Sequence, residues 1–324
     1  MRKRVSLCLT LIVIIGCAGG KLKPQGRPEY PPEQFLTATG IGQSEQEARS
    51  QAVAELSRIF QSKVTSDTLD RVKAVVPEKG KETYEQRVDS SVRVLSDVEL
   101  KGVQVPKTWV DEKRRVYYAL AVLDRSQARD TWLREIRNSD GGIEGELKIM
   151  ESLESKFRKL KSLQRILALW LEREVLVSRL RVLGFQEGAS PSYDMKAVFK
   201  GIVEMKKDMT IAVIMGGEYG EVVKKALLEQ MSSAGYVMSS DVRRADVLVS
   251  GSVKTEPVDL DDPDWEFARA SVSLTITDEV SSLTVGELSE SVRAGQLNYT
   301  EAVQKALRKA SSDIAGKLVA SFEE

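Results

Sequence analysis

Two cysteines, Cys8 and Cys17, and no histidine make up the supply of thiols and imidazoles in 324 residues. Without histidine there is no His-ligated zinc, no Ser-His-Asp or Cys-His hydrolase arrangement and no imidazole general base. Carboxylates abound, but a glycosidase pair must lie about 5–9.5 Å apart in one cleft, and no recognisable glycosidase motif accompanies them. "MGGEYGE", residues 215–221, stands between strand-like and helix-like stretches, where phosphate loops sit. It lacks both the Walker Gly-Lys-Ser/Thr and the G-x-G-x-x-G pattern, and Glu218 and Glu221 would repel an anion. It reads as a tight turn. "EPVDLDDPDWE", residues 256–266, gathers Glu256, Asp259, Asp261, Asp262, Asp264 and Glu266. The glycine and the terminal glutamate of a calcium loop are missing at their required spacing, so a solvated acidic loop is expected. No catalytic residue, metal or cofactor is expected. The remaining candidates make contacts: Trp109 and Tyr117, beside Tyr118, suit either a partner-facing patch or cross-strand pairs.

Cys17 has a more telling context. Arg2-Lys3-Arg4 precede a run from Val5 to Ile15 that is apolar except for Ser6 and Thr10, and small residues follow. These 11 residues fall short of the about 20 needed to cross a bilayer as a helix. A basic start, a short apolar stretch and a small-residue exit describe a secretory signal peptide. Ile14-Ile15-Gly16-Cys17 resembles a bacterial lipobox. That resemblance implies cleavage between Gly16 and Cys17, with acyl chains on the sulfur and the amine of Cys17. Acylation on both groups exceeds the threshold for stable anchoring and removes a thiol open to oxidation. Cys8 would leave with the signal peptide, residues 1–16, so no intrachain disulfide can form. Ala18, where an aspartate would retain the protein in the inner membrane, resembles enterobacterial sorting to the outer membrane, and a periplasm-facing location follows. Loss of Arg2, Lys3 and Arg4 takes 48 basic residues to 45 against 48 acidic ones, a net charge of −3. That balance carries no bias toward nucleic acid.

Residues 17–33, rich in Gly, Pro and Lys, read as a lipidated tether. The 16 of them after Cys17 reach at most about 55 Å. "FLTATGIG", 35–42, reads as a strand. The following "SEQEARSQAVAELSRIFQSKV" opens on a Ser44…Glu47 capping box and repeats Ala48, Ala52, Leu56, Ile59 and Phe60 at helical spacing. Residues 66–82 read as irregular or as holding a short helix, and 83–95, strand or helix, fit neither period cleanly. "GVQVPKTWV" and "RVYYALAVL" form a β-hairpin around Asp111–Arg114. Between Gly145 and Gly184 neither glycine nor proline occurs. A single helix there would run about 57 Å, either folded back on its own domain or offering a coiled-coil seam to another copy. "MTIAVIM" reads as a buried strand, then come an amphipathic helix, the strand "ADVLVSGSVKTEPV", a hairpin turning at Glu279–Ser282 and a C-terminal amphipathic helix.

"FLTATGIGQSEQEARSQAVAELSRIFQSKV" followed by "VPKTWVDEKRRVYYALAVLDR" resembles the Lpp-twenty lipoprotein family, through the A-T-G-x-G turn at Ala38–Gly42, the alanine-rich helix and the Trp109…Tyr117-Tyr118 hairpin. The same module is similar to the N-terminal domain of the flagellar H-ring protein FlgT. The resemblance implies an envelope lipoprotein without known catalytic residues. The C-terminal order, with "ADVLVSGSV" at 245–253, resembles the domain shared by the curli secretion protein CsgG, the penicillin-binding-protein activator LpoB, the N-terminal part of TolB and the middle of FlgT. No stretch alternates long enough for lipid-facing barrel strands, so pore formation is not implied.

The expected class is α+β, with two small sheet-plus-helix domains at 34–126 and 196–324 joined by a helical connector at 127–195. The expected role is that of a non-enzymatic, membrane-anchored scaffold or assembly factor of the bacterial envelope, associated with a flagellar basal-body or outer-membrane ring. The alternatives are an LpoB-like regulator of peptidoglycan synthesis and a periplasmic ligand-binding protein. The expected partners are the membrane, through the lipid, then envelope proteins and further copies of the chain, with no nucleic acid.

Overall fold

A computed structural model describes residues 29–76, 81–96, 100–188, 190–260 and 264–323. The chain runs from strand β1 (Phe35–Gly42) into helix α1 (Glu45–Lys73), then α2 (Lys81–Ser96) and the hairpin β2 (Gln104–Asp111) and β3 (Val116–Asp124). β3 lies between β1 and β2, both antiparallel to it. The class is α+β.

α1 packs on this sheet because both surfaces are small where they meet. A Cβ at Gly40 would lie 2.7 Å from the Cα of Ala52, and closer still to its amide nitrogen and to the Ala48 carbonyl. One at Gly42 would lie 2.6 Å from the Ala48 amide nitrogen. The helix opens as its sequence predicts, with one change. Ser44 Oγ accepts the Glu47 amide at 3.2 Å, but Glu47 reaches back to the amide of Gln43, at 2.7 Å, rather than to that of Ser44. Ser44→Ala is expected to cost about 1 kcal/mol, read as a lower urea midpoint at unchanged slope. An unmoved midpoint would show that the cap contributes nothing.

α1 extends well past the expected end, through residues 66–73. Its buried positions are Ala48, Ala52, Leu56, Phe60, Val64, Thr68 and Val72, a strict repeat of four. In a helix of 3.6 residues per turn that stripe drifts about 40° per repeat. Its first part faces the sheet and Val72 reaches a different core. Thr68 hides the continuity, because its hydroxyl is buried and donates to the Val64 carbonyl at 2.7 Å. The ambiguous stretch 83–95 is helical and forms most of α2, with Val88 and Val92 buried.

The stretch between Gly145 and Gly184 takes the bent arrangement rather than a single helix. α3 (Arg125–Ser152) ends at Leu153, and α4 (Lys156–Val182) begins after Ser155, whose Oγ accepts the Arg158 amide at 3.2 Å. The two pack as a helical hairpin. α4 is the spine of the molecule. Phe157, Leu160, Leu163, Ile166, Leu167 and Trp170 enter the C-terminal core, while Val175, Leu176, Val177, Leu180 and Leu183 enter the N-terminal one. The apolar positions that suggested an intermolecular seam therefore face the chain's own interior. Between the cores runs a buried polar chain. Arg173 on α4 is 1% exposed and bonds Asp140 of α3 at 2.6 Å, Glu174 at 2.7 Å and the Gly188 carbonyl at 2.6 Å. Arg71 of α1 bonds Glu174 at 2.6 Å, and the Tyr193 hydroxyl donates to Asp140 at 2.7 Å.

After α5 (Met195–Asp208) come β4 (Thr210–Gly216), α6 (Gly220–Ser233), the short β5 (Val237–Ser239), β6 (Val247–Val258), β7 (Glu266–Asp278), β8 (Leu283–Gln296) and α7 (Tyr299–Glu323). The sheet order is β5-β4-β6-β7-β8, with β4 parallel to β5 and β6 and the rest antiparallel. Alternation sorts the two faces. Val247, Val249, Ala268, Ala270, Val272, Leu274 and Ile276 are buried in the core that α6 and α7 share, whereas Ser252, Ser273, Ser289 and Ser291 line the other face. β5, too short to show a period in the sequence, pairs three residues along β4. Among the described residues no helix is long and apolar enough to cross a membrane.

Candidate interaction surface

The N-terminal sheet has one face under α1 and one open. Ala38, Gly40 and Gly42 of β1 and Ala119, Ala121 and Leu123 of β3 point to the helix side, leaving their neighbours to the other. In register across that open face stand Ile41, Tyr118 and Trp109. Trp109 and Tyr118 stack with ring centres 5.4 Å apart and planes 6° apart. Ile41 is 56% exposed and Trp109 45%. The stack holds the Trp109 ring in place while leaving it half-exposed, so the row offers a rigid apolar contact. Lys107, farther along β2, pairs with Glu29 where the described chain begins.

Trp109 and Tyr117, the two expected contact residues, are not brought together. Tyr117 is opposite Val110 and Gly42 and therefore takes the helix-side face beside the first turn of α1. The companions of Trp109 are Tyr118 and Ile41. Strand alternation predicts the split once the register is known, since adjacent residues point to opposite faces. Ile41 is the functional candidate that the sequence reading passed over, and its signal was an isoleucine between two glycines at the end of a strand. Gly16 and Cys17 lie outside the described residues.

In "MGGEYGE" Gly217 adopts φ +96°, and a Cβ at Gly220 would lie 2.8 Å from the Met215 carbonyl. The segment is the turn that lets α6 start directly above β4. In the acidic stretch, Glu256 is taken by Arg269 across the strands at 2.9 Å, and residues 261–263 lie outside the described residues. Among the described residues no three His, Cys, Asp or Glu side chains converge to hold a metal ion.

No curated protein matches the chain. Its fold has weak likenesses among solved structures. The secreted protein HP1454 from Helicobacter pylori is 13% identical over 89% of this chain and 96% of its own, with a TM-score of 0.40. The rare lipoprotein B from Shewanella oneidensis is 10% identical over 35% of this chain and 92% of its own, at 0.28. A minor lipoprotein from Acinetobacter baumannii is 13% identical over 35% and 90%, at 0.27. The family model described as LPP20 lipoprotein matches residues 24–124. The three-stranded sheet with α1 and α2, including the Ile41–Tyr118–Trp109 row, is thus the part of this chain that is an LPP20 lipoprotein match.

Proposed function

We propose that the protein is a lipid-anchored scaffold of the bacterial envelope, without catalytic activity. Cys17 carries the acyl chains, the mature chain faces the periplasm from the outer membrane, and the open face of the N-terminal sheet docks an envelope protein. The observation that carries this reading is exposed Trp109, stacked on Tyr118 beside exposed Ile41, on the domain that matches a lipoprotein family. A rigid, half-exposed tryptophan is the kind of anchor that dominates protein interfaces. Confinement to a membrane raises the local concentration of neighbours, so a modest patch suffices. A ring component of the flagellar basal body is the partner favoured by the sequence resemblance, and cell-wall synthases are the next class.

In-cell crosslinking with mass spectrometry, run on the wild type, Cys17→Ser and Trp109→Ala, tests both parts. The expected result is a defined partner set that is lost without the lipid and falls at least about tenfold in Trp109→Ala. Metabolic labelling with a fatty acid should mark the wild type and not Cys17→Ser. An unlabelled wild type would remove the anchor, and crosslinks unchanged in Trp109→Ala would remove the docking face.

A further inference from the structure

β8 is a 14-residue strand at the edge of the C-terminal sheet, paired on one side only. The other edge, β5, has three residues. Which backbone groups of β8 point outward can be read from the side chains that reach them. The Ser289 carbonyl accepts Lys317 Nζ at 3.1 Å, the Ser291 amide donates to Glu290 Oε1 at 3.2 Å, and the Gly295 carbonyl accepts Lys305 Nζ at 3.5 Å. Antiparallel ladders alternate with period two. Glu287 and Arg293 therefore also present their amides and carbonyls to the open edge.

The exposed side chains of this strand are self-complementary. Glu287, Ser289, Ser291 and Arg293 all lie on the face away from α7, and all are exposed. Among the described residues neither Glu287 nor Arg293 forms an ion pair. Within its own sheet Arg293 stands opposite another arginine, Arg269, which is already engaged by Glu256. Like charges directly opposite are unfavourable, and a carboxylate on the open side would offset them.

We propose that β8 pairs antiparallel with β8 of a second copy of this chain, about a two-fold axis through Glu290, giving one continuous sheet. In that register Glu287 faces the partner's Arg293, Ser289 faces the partner's Ser291, and Leu288 faces the partner's Val292 on the α7 side. The register opposes the two Glu290 carboxylates. Each is neutralised within its own chain by Lys317, 2.6 Å away, and its pKa is held down by that hydrogen bond and by the charges of Lys317 and Lys309. The outward groups of Ser289 and Ser291 exchange bonds to side chains of their own chain for ladder bonds. An edge strand of this length without proline is a template for such pairing, and a two-fold contact is the commonest way that like chains associate. The pairing does not depend on the docking face or on the lipid.

Sedimentation equilibrium of the full chain in density-matched detergent tests it. The wild type should form a concentration-dependent dimer. Glu287→Arg and Arg293→Glu each place like charges at two symmetric positions and should each weaken the dimer by roughly tenfold. The double reversal, Glu287→Arg with Arg293→Glu, should restore it. In the dimer the Ser289 and Ser291 amides should also gain hydrogen-exchange protection. A wild type that stays single at every concentration overturns the proposal. So does a dimer indifferent to the single reversals, or one that the double reversal fails to restore.

Discussion

Replacing Arg173 with alanine is expected to destabilise the protein by about 3–5 kcal/mol, the cost of breaking a buried ion pair from one side. Its guanidinium is 1% exposed and satisfies Asp140, Glu174 and the Gly188 carbonyl at once. Among the described residues Glu174, itself 3% exposed, would keep only Arg71, and Asp140 only the Tyr193 hydroxyl. The effect should exceed that of Arg71→Ala, because Arg71 is partly solvated and Glu174 would still hold Arg173. Urea unfolding followed by tryptophan fluorescence is the natural measurement, because Trp132 lies in the N-terminal core and Trp170 in the C-terminal one. A loss below about 1 kcal/mol would mean that water replaces the guanidinium at little cost.

The same network has a pH signature. Burial, then the hydrogen bond to Asp140, pushes the Tyr193 hydroxyl well above its usual range. A raised pKa favours the proton in the folded state. That share of stability is whole below the unfolded tyrosine pKa of about 10 and is lost as pH rises beyond it. Tyr193→Phe should flatten this alkaline decline, and an unchanged profile would remove Tyr193 from the network's energetics.

The second large effect is expected at Gly40. Its missing Cβ is where the backbone of α1 sits, so Gly40→Ala sets a methyl against Ala48 and Ala52 main-chain atoms that no rotamer can move. Overpacking of a core usually costs about 1–3 kcal/mol. Here the whole helix must lift from the sheet, so a loss at or above about 3 kcal/mol is expected. Gly286→Ala is the control. Its Cβ would meet only the Ile276 side chain, at 3.3 Å, which can yield. Circular dichroism melting of both variants checks the contrast, and equal shifts would show that α1 adjusts freely.

The features legible in sequence are those whose cause lies within a few residues. The capping residues Ser44 and Glu47, the helical spacing of Ala48, Ala52, Leu56 and Phe60, and the turns of both hairpins are local signals, and together they fix the α+β class. The lipobox-like segment ending at Cys17 is of the same kind, as is the length of sequence that matches a lipoprotein family. Other features depended on partners far along the chain. Residues 66–73 read as irregular but continue α1, and buried Thr68 fits there because a single bond to the Val64 carbonyl satisfies its hydroxyl. Nothing in "ESLESKF" marks a helix break as strongly as proline or glycine would. The break is set by the return of α4 through both cores and by the cap at Ser155. The burial of Arg173 was unreadable, since arginine is ordinarily a surface residue and two of its three partners stand 33 and 15 positions away, one on either side of it. The companions of Trp109 waited on the strand register, because only the pairing of β2 with β3 and of β3 with β1 decides which face each side chain takes. Local chemistry determined the elements, and long-range packing decided which of their side chains meet and which remain open to a partner.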